Sequence, residues 1–374
     1  MERRVPHTQL AEFARRVLKA SGVDATQTET VSENLIWNDL AGRTNHGVER
    51  LDILAERAKA GLIRCPARMR FTRLAPAIHR LDADDGFGQH AGRLASEHAI
   101  TCARREGIGV VGVRDSNFFG TGARFAAMIS EAGMIGVVLS NSFPKVAPHG
   151  GIAPVLGTNP LAFAAPRAGG DLILDMSTAA LAGSTLRAHQ DSGHTLPEGL
   201  VIDREGAPVT DPFRAQAGTL LPAAGPKGFG LALMVEILAG VLTGAGVGDG
   251  VGSIYKDFER SGKSGHFIVA IDIARWMSRE HFEGRLSALC TQILAAGTEG
   301  AVRLPGELRW HHRAENLQGG IPISGEVLRK LEQLGDALQI TPPWKAPASA
   351  PSGPSAAGSE TGDPGSGTTD PKAQ

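Results

Sequence analysis

The stretch "RTNHGVERL", Arg43 to Leu51, sets His46 and Arg50 four residues apart. On a helix that spacing puts both on one face. An imidazole there can exchange a proton, and a guanidinium can grip a carboxylate. Asn45 is of a type that caps helices, so His46 is expected in a first turn, where the helix dipole and free amides disfavour the imidazolium. The plain alternative is a surface histidine beside a solvated arginine. Lys227 in "PAAGPKGFG" stands between Gly225 and Gly228 at the mouth of the most apolar helical stretch. That position suits a phosphate or carboxylate as well as it suits solvent. "GTNPLAFAAP" and "LDMSTAALAG" end apolar runs in Thr158, Asn159, Asp175, Ser177 and Thr178, which serve either ligand hydrogen bonds or strand-end turns. "RDSNFFGTG", Arg114 to Gly122, is placed like a catalytic loop, yet its centre is two phenylalanines.

Other chemistries are poorly supported. Gly86, Gly88 and Gly92 form GxGxxxG, one residue off the dinucleotide fingerprint, with no acidic residue closing a following strand. They read better as a tight strand-to-helix turn. No GxxxxGK[ST] occurs. His149 in "VAPHGG" reads as a loop histidine and "RLPGEL" as a turn. Cys65, Cys102 and Cys290 are far apart and never in a CxxC pair, so neither a disulfide framework nor a metal site is expected. A formal net charge of -1, with Lys and Arg scattered singly, argues against nucleic-acid binding.

A chain of 374 residues can carry one large or two medium cores. "TQLAEFARRVLKASG" has a helical apolar stripe from Leu10 to Leu18, with Thr8 as the expected cap and Gly22 as the stop. "TETVSENLIWNDLAG" and "VERLDILAERAKAG" repeat that design. From about Ala75, "PAIHRLDA", "GIGVVGV", "IGVVLS", "LAFAAP", "LILDM" and "HFIVAIDI" read as strands, with helical patterns at "GQHAGRLASEHAITCARREG" and "TGARFAAMISEAGM" between them. Helical pattern returns at "EGRLSALCTQILAAG" and "SGEVLRKLEQLGDALQ". The expected architecture is mixed α/β, with a helical domain made from both chain ends. Its parts are residues 1–74 and 283–342; a mixed-sheet domain spans 75–282, and a Pro-, Ala-, Gly- and Ser-rich disordered tail spans 343–374. The amino terminus lacks an apolar signal region, so a cytoplasmic location is expected. Phe229 to Gly248 approaches a membrane span in length but carries Glu236, so a helix buried in a globular core is expected.

Taken together, "NHGVERL", "RDSNFFG", "GTNPLAFAAP", "LDMST", "LPEG", "VTDP", "GPKGFGLALMVEILAGVLTG", "GHFIVAIDIARW" and "RLPGE" resemble the malate/L-lactate dehydrogenase family that lacks a Rossmann fold, from about Thr8 to Leu338. That group includes ureidoglycolate, sulfolactate and 2,3-diketogulonate oxidoreductases. The resemblance implies a homodimer with a family-specific fold, NAD or NADP as cofactor and a small carboxylate as substrate. It implies that His46 is the proton donor and acceptor and that Arg50 holds the carboxylate. Ser116, Asn117, Phe118, Thr158 and Asn159 would then face substrate. Ser142, Asp175, Met176, Ser177, Thr178, Lys227, Gly306 and Glu307 would line the dinucleotide. The departures are specific. Phe118 stands where the family has a histidine assigned as catalytic base in some members, Asn45 replaces a serine, and Pro226 replaces a histidine. Ala182, Gly183, Ser184 and Thr185 replace ARGK, which removes two cations. Three outcomes follow: a 2-hydroxy-acid oxidoreductase working through His46, a reductase of cyclic imine acids, or a nucleotide-binding member with little activity.

Overall fold

The computed structural model describes residues 2–298 and 300–345. Nearly all of the tail expected from 343 lies outside the described residues.

The amino end runs β1 (Glu2–Val5), α1 (His7–Ala20), α2 (Ala25–Leu40) and α3 (Leu51–Lys59). Thr8 does not cap α1. The preceding Pro6 sets the entry without any side-chain cap, and Thr8 lies inside the first turn. Asp24 caps α2, its carboxylate accepting from the Thr26 and Gln27 amides. The central sheet is built from β2 (Arg70–Ala75), β3 (Ile78–Asp82), β4 (Ile108–Ser116), β5 (Met134–Ser140), β6 (Leu161–Ala165), β7 (Leu172–Met176) and β10 (Ser264–Asp272). Its order is β2-β3-β4-β10-β5-β6-β7. Only β3 and β4 are parallel, joined by the crossover helix α4 (Gly88–Glu106). The late strand β10 enters the middle of the sheet, antiparallel to both β4 and β5.

On one face lie α4 and α5 (Gly122–Glu131). Val111 and Val113 of β4 pack there against the alanine stripe Ala91, Ala95, Ala99 and Ala103, which lets the helix approach closely. The glycines of GxGxxxG belong to this packing. A Cβ on Gly88 would collide with the Asn117 and Phe118 carbonyls, and one on Gly92 with the Phe125 ring.

The opposite face carries α8 (Pro226–Val235), which continues as a π-helical segment, Glu236–Val241. It follows α6 (Gly183–Ser192), α7 (Pro212–Ala215) and the small ribbon β8 (Val201–Ile202) and β9 (Thr219–Leu220). This apolar helix is not the fully buried one expected. Val235 and Ala239 pack on Leu139 of the sheet, but Leu233, Met234, Ile237, Val241 and Leu242 are exposed. No helix among the described residues is long and apolar enough to cross a membrane.

The carboxyl end provides α9 (Arg279–Ala295), α10 (Glu307–Gly319), β11 (Ile321–Ser324) and α11 (Gly325–Ala337). β1 and β11 pair antiparallel and tie the two ends together. A core of Leu10, Phe13, Leu35, Leu54, Ile321 and Leu331 forms around them. Pro343–Lys345, the first residues of the expected tail, form a 3-10 turn, and Trp344 packs edge-on against Phe13 with ring centroids 4.9 Å apart. The helix α9 contributes little to this core, since Cys290 is its only buried residue.

Candidate active site

His46 does not sit in the first turn of an α-helix. Thr44–His46 and Val48–Arg50 are single 3-10 turns, and α3 begins at Leu51 with no side-chain cap. Asn45 therefore caps nothing. The turn is set by Asp39 at the end of α2, whose carboxylate accepts from the Val48 amide at 2.8 Å. Gly47 lies directly against that carboxylate, where a Cβ would collide. The imidazole is half-buried, and the cause of its low basicity differs from the expected helix dipole. Burial, then the charges of Arg50 and Arg43, push His46 down to about 4. Its Nδ1 is buried without a hydrogen-bond partner among the described residues. The ring lies nearly parallel to Phe118, centroids 5.8 Å apart and planes 21° from parallel.

Both rings line a cavity of about 110 Å³ whose wall also includes Asn117, Ser142, Thr158 and Ile254. The loop that carries Phe118 is braced from behind. The Asn117 amide nitrogen donates to the Asp85 and Gly86 carbonyls at 2.8 and 3.1 Å, and its oxygen accepts from the Gly262 amide at 2.8 Å. Ser116 does not reach the cavity. It is fully buried, 2.9 Å from His266 Nε2, while His266 Nδ1 is 2.8 Å from the Ser140 hydroxyl. Burial pushes His266 down to about 3, so it bridges the two hydroxyls as a neutral ring stacked on Phe119 at 4.3 Å.

Asn159 is likewise structural in this geometry. It is fully buried, donates to the Ala232 carbonyl at 3.0 Å and to Glu236 at 2.7 Å, and accepts from the Ser142 amide at 3.2 Å. Glu236 also accepts from Asn141 and from the Gly248 amide. The carboxylate in the middle of the apolar helix thus anchors that helix to the cavity floor.

Arg50 lies beside the cavity rather than on it. It donates to the Asn45 carbonyl at 2.7 Å and sits over the Tyr255 ring, 5.2 Å from its centroid. Asp175 pairs with Arg309 of α10 at 3.3 Å, and burial raises its carboxyl above the usual range against the pull of Arg309. The Ser177 and Thr178 hydroxyls donate to the Thr158 carbonyl, both at 3.1 Å. Met176 is exposed at the end of β7. Lys227 is exposed in the first turn of α8, which has no side-chain cap. Gly306 takes a left-handed conformation before α10, and Glu307 accepts from the Leu304 amide at 3.1 Å.

Sequence reasoning missed Arg57, Asn141, His266 and Arg309. Arg57 is buried on the cavity wall, its guanidinium donating to the Asp257 and Arg260 carbonyls. The one available signal was a polar residue adjoining an apolar run, as His266 does at the start of "HFIVAIDI".

Residues 5–332 match the family model described as malate/L-lactate dehydrogenase. The malate dehydrogenase of Pyrococcus abyssi is 36% identical over 350 residues, 90% of this chain and 95% of the relative. The NAD(+) ureidoglycolate dehydrogenase of Escherichia coli O157:H7 is 33% identical over 342 residues, covering 90% of this chain and 97% of that one. Among solved structures, the delta1-piperideine-2-carboxylate reductase of Pseudomonas syringae pvar. tomato superposes with a TM-score of 0.80 at 32% identity, over 89% of this chain and 99% of the other. Sequence and fold agree, and the chain belongs to the malate/L-lactate dehydrogenase family.

Proposed function

We propose that the chain transfers a hydride between a nicotinamide dinucleotide, NAD or NADP, and C2 of a small 2-hydroxy or 2-oxo acid, with His46 moving the proton. The observation that carries this reading is the half-buried His46, held neutral by its surroundings, on the wall of a cavity of about 110 Å³. A neutral imidazole is the form that accepts a hydroxyl proton as the alcohol is oxidised. Arg50 is the proposed carboxylate partner, close enough that its charge already depresses His46. The first turn of α8 bears the exposed Lys227 as a cation suited to a pyrophosphate, while the Gly228 and Phe229 amides are already taken by the Ala223 and Gly225 carbonyls. Ser142 offers its hydroxyl at the cavity wall. Asp175, Met176, Ser177, Thr178, Gly306 and Glu307 complete that proposed site chiefly through backbone, because the Ser177, Thr178 and Asp175 side chains are held by Thr158 and Arg309. When bound, the nicotinamide supplies or accepts the hydride.

A second reading is favoured by Phe118. An apolar ring replaces a polar wall beside His46, and a cyclic imine acid, whose nitrogen can arrive protonated, needs less help from a second histidine. The piperideine-2-carboxylate reductase among the relatives supports it. A panel of 2-oxo acids and cyclic imine acids, assayed with both reduced dinucleotides, separates the readings. Turnover of one class that falls by about two to four orders of magnitude in His46→Ala supports the acid/base role. Dinucleotide binding in calorimetry without any turnover would leave a nucleotide-binding member with little activity. The proposal includes a homodimer and a cytoplasmic location, the latter in keeping with the free thiols of Cys65, Cys102 and Cys290.

A further inference from the structure

Away from the cavity, His79, His98 and Cys102 meet between the sheet and α4, with one candidate ligand atom from each lying within 4.8 Å of the others. None of the three lines the His46 cavity. His79 points from β3 toward the helix, while His98 and Cys102 are one turn apart on α4 and share a face. We propose that these three side chains form a binding site for a thiophilic divalent cation of the zinc type, pinning α4 to β3.

The geometry is compatible with a metal as well as with a thiol–imidazole hydrogen bond. Cys102 Sγ lies 3.5 Å from His79 Nδ1. Zinc bonds of about 2.3 Å to sulfur and 2.0 to 2.1 Å to nitrogen, at a tetrahedral angle, require a separation of about 3.6 Å. That pair is therefore spaced as two vertices of a tetrahedral coordination sphere. His98 supplies the independent observation, because its Nε2 is buried and has no hydrogen-bond partner among the described residues. The His98 ring is fixed by Phe71, stacked at 4.2 Å, and by the edge of His79, also at 4.2 Å. An orphaned nitrogen held by two aromatic neighbours is costly unless something uses it. His79 and Cys102 are buried, whereas His98 is half-buried and leaves an approach from solvent. Two imidazoles and a thiolate leave the fourth position for water, and the ligand set favours zinc or cobalt over magnesium or calcium.

The test uses the full chain stripped of metal by a chelator and titrated with cobalt(II). Expected are one equivalent bound, the intense visible bands of a tetrahedral site, a thiolate-to-cobalt charge-transfer band, and displacement of cobalt by zinc. Cys102→Ser should lose the charge-transfer band. His98→Gln, at a half-exposed position that tolerates polarity, should weaken zinc binding on the order of tenfold or more. Zinc should raise the melting temperature of the parent protein and leave that of Cys102→Ser unchanged. Failure of the parent protein to bind cobalt at one equivalent, or an unaltered cobalt spectrum in Cys102→Ser or affinity in His98→Gln, would overturn the site.

Discussion

His46 is depressed to about 4 by burial and by its arginine neighbours, so its neutral form persists throughout the ordinary pH range and is lost only as pH falls through that value. For a base that must be neutral, kcat/KM for oxidation should stay level from about pH 5 to 8 and decline below about 4, with no inflection near 6.5 from this group. A pH–rate profile of the parent enzyme checks this, and an inflection near 6.5 that vanishes in His46→Asn would show the ring to be solvated. Phe118 stacks on that imidazole, so Phe118→His places a second proton-exchanging group at the same wall. Gain of malate or lactate turnover in this variant, at the expense of activity on the native substrate, is the expected outcome. Residue identity along the motifs was enough to single out His46 and Phe118. It could not show that Asn117 and Asn159 spend their amides on the backbone and on Glu236, because those partners lie between 31 and 77 residues away in sequence.

Between α2 and α3 the chain makes two 3-10 turns, and their shape depends on Gly47 lying against the Asp39 carboxylate that holds the Val48 amide. Gly47→Ala forces that contact apart. His46 is then displaced without any change to its chemistry, so turnover should fall at least tenfold while the melting temperature shifts less than for a core truncation; equal turnover would show the turn to be compliant. The interior elements were readable because each has a buried face. Val111, Val113 and the alanines of α4 repeat with the period of their element. β1 and β2 escaped detection for the converse reason: their residues are nearly all exposed, with patterns of one buried residue in four and none in six, so no alternation marks them. The π-helical continuation of α8 was hidden for another reason, since hydrophobicity alone does not reveal which side of a helix meets the sheet.

At the level of the whole molecule, that helix is the largest mismatch between composition and environment. Val235 and Ala239 face the sheet, yet Val241 and Leu242 are 62% and 64% exposed and Leu233, Met234 and Ile237 lie beside them on the outer surface. An apolar strip of this kind on a folded chain marks a surface that another protein covers. A second copy is the partner proposed here, and a specific dimer needs roughly 800 Å² from each protomer. The prediction is that the protein sediments as a dimer and that Val241→Glu, which leaves the sheet-facing side of the helix intact, converts it to a folded monomer. Circular dichroism alongside the sedimentation run distinguishes dissociation from unfolding. A parent protein that sediments as a monomer would refute the assignment. Because α8 also carries Lys227 at its first turn and reaches Asn159 through Glu236, the same substitution should weaken dinucleotide binding as the helix loses its outer support.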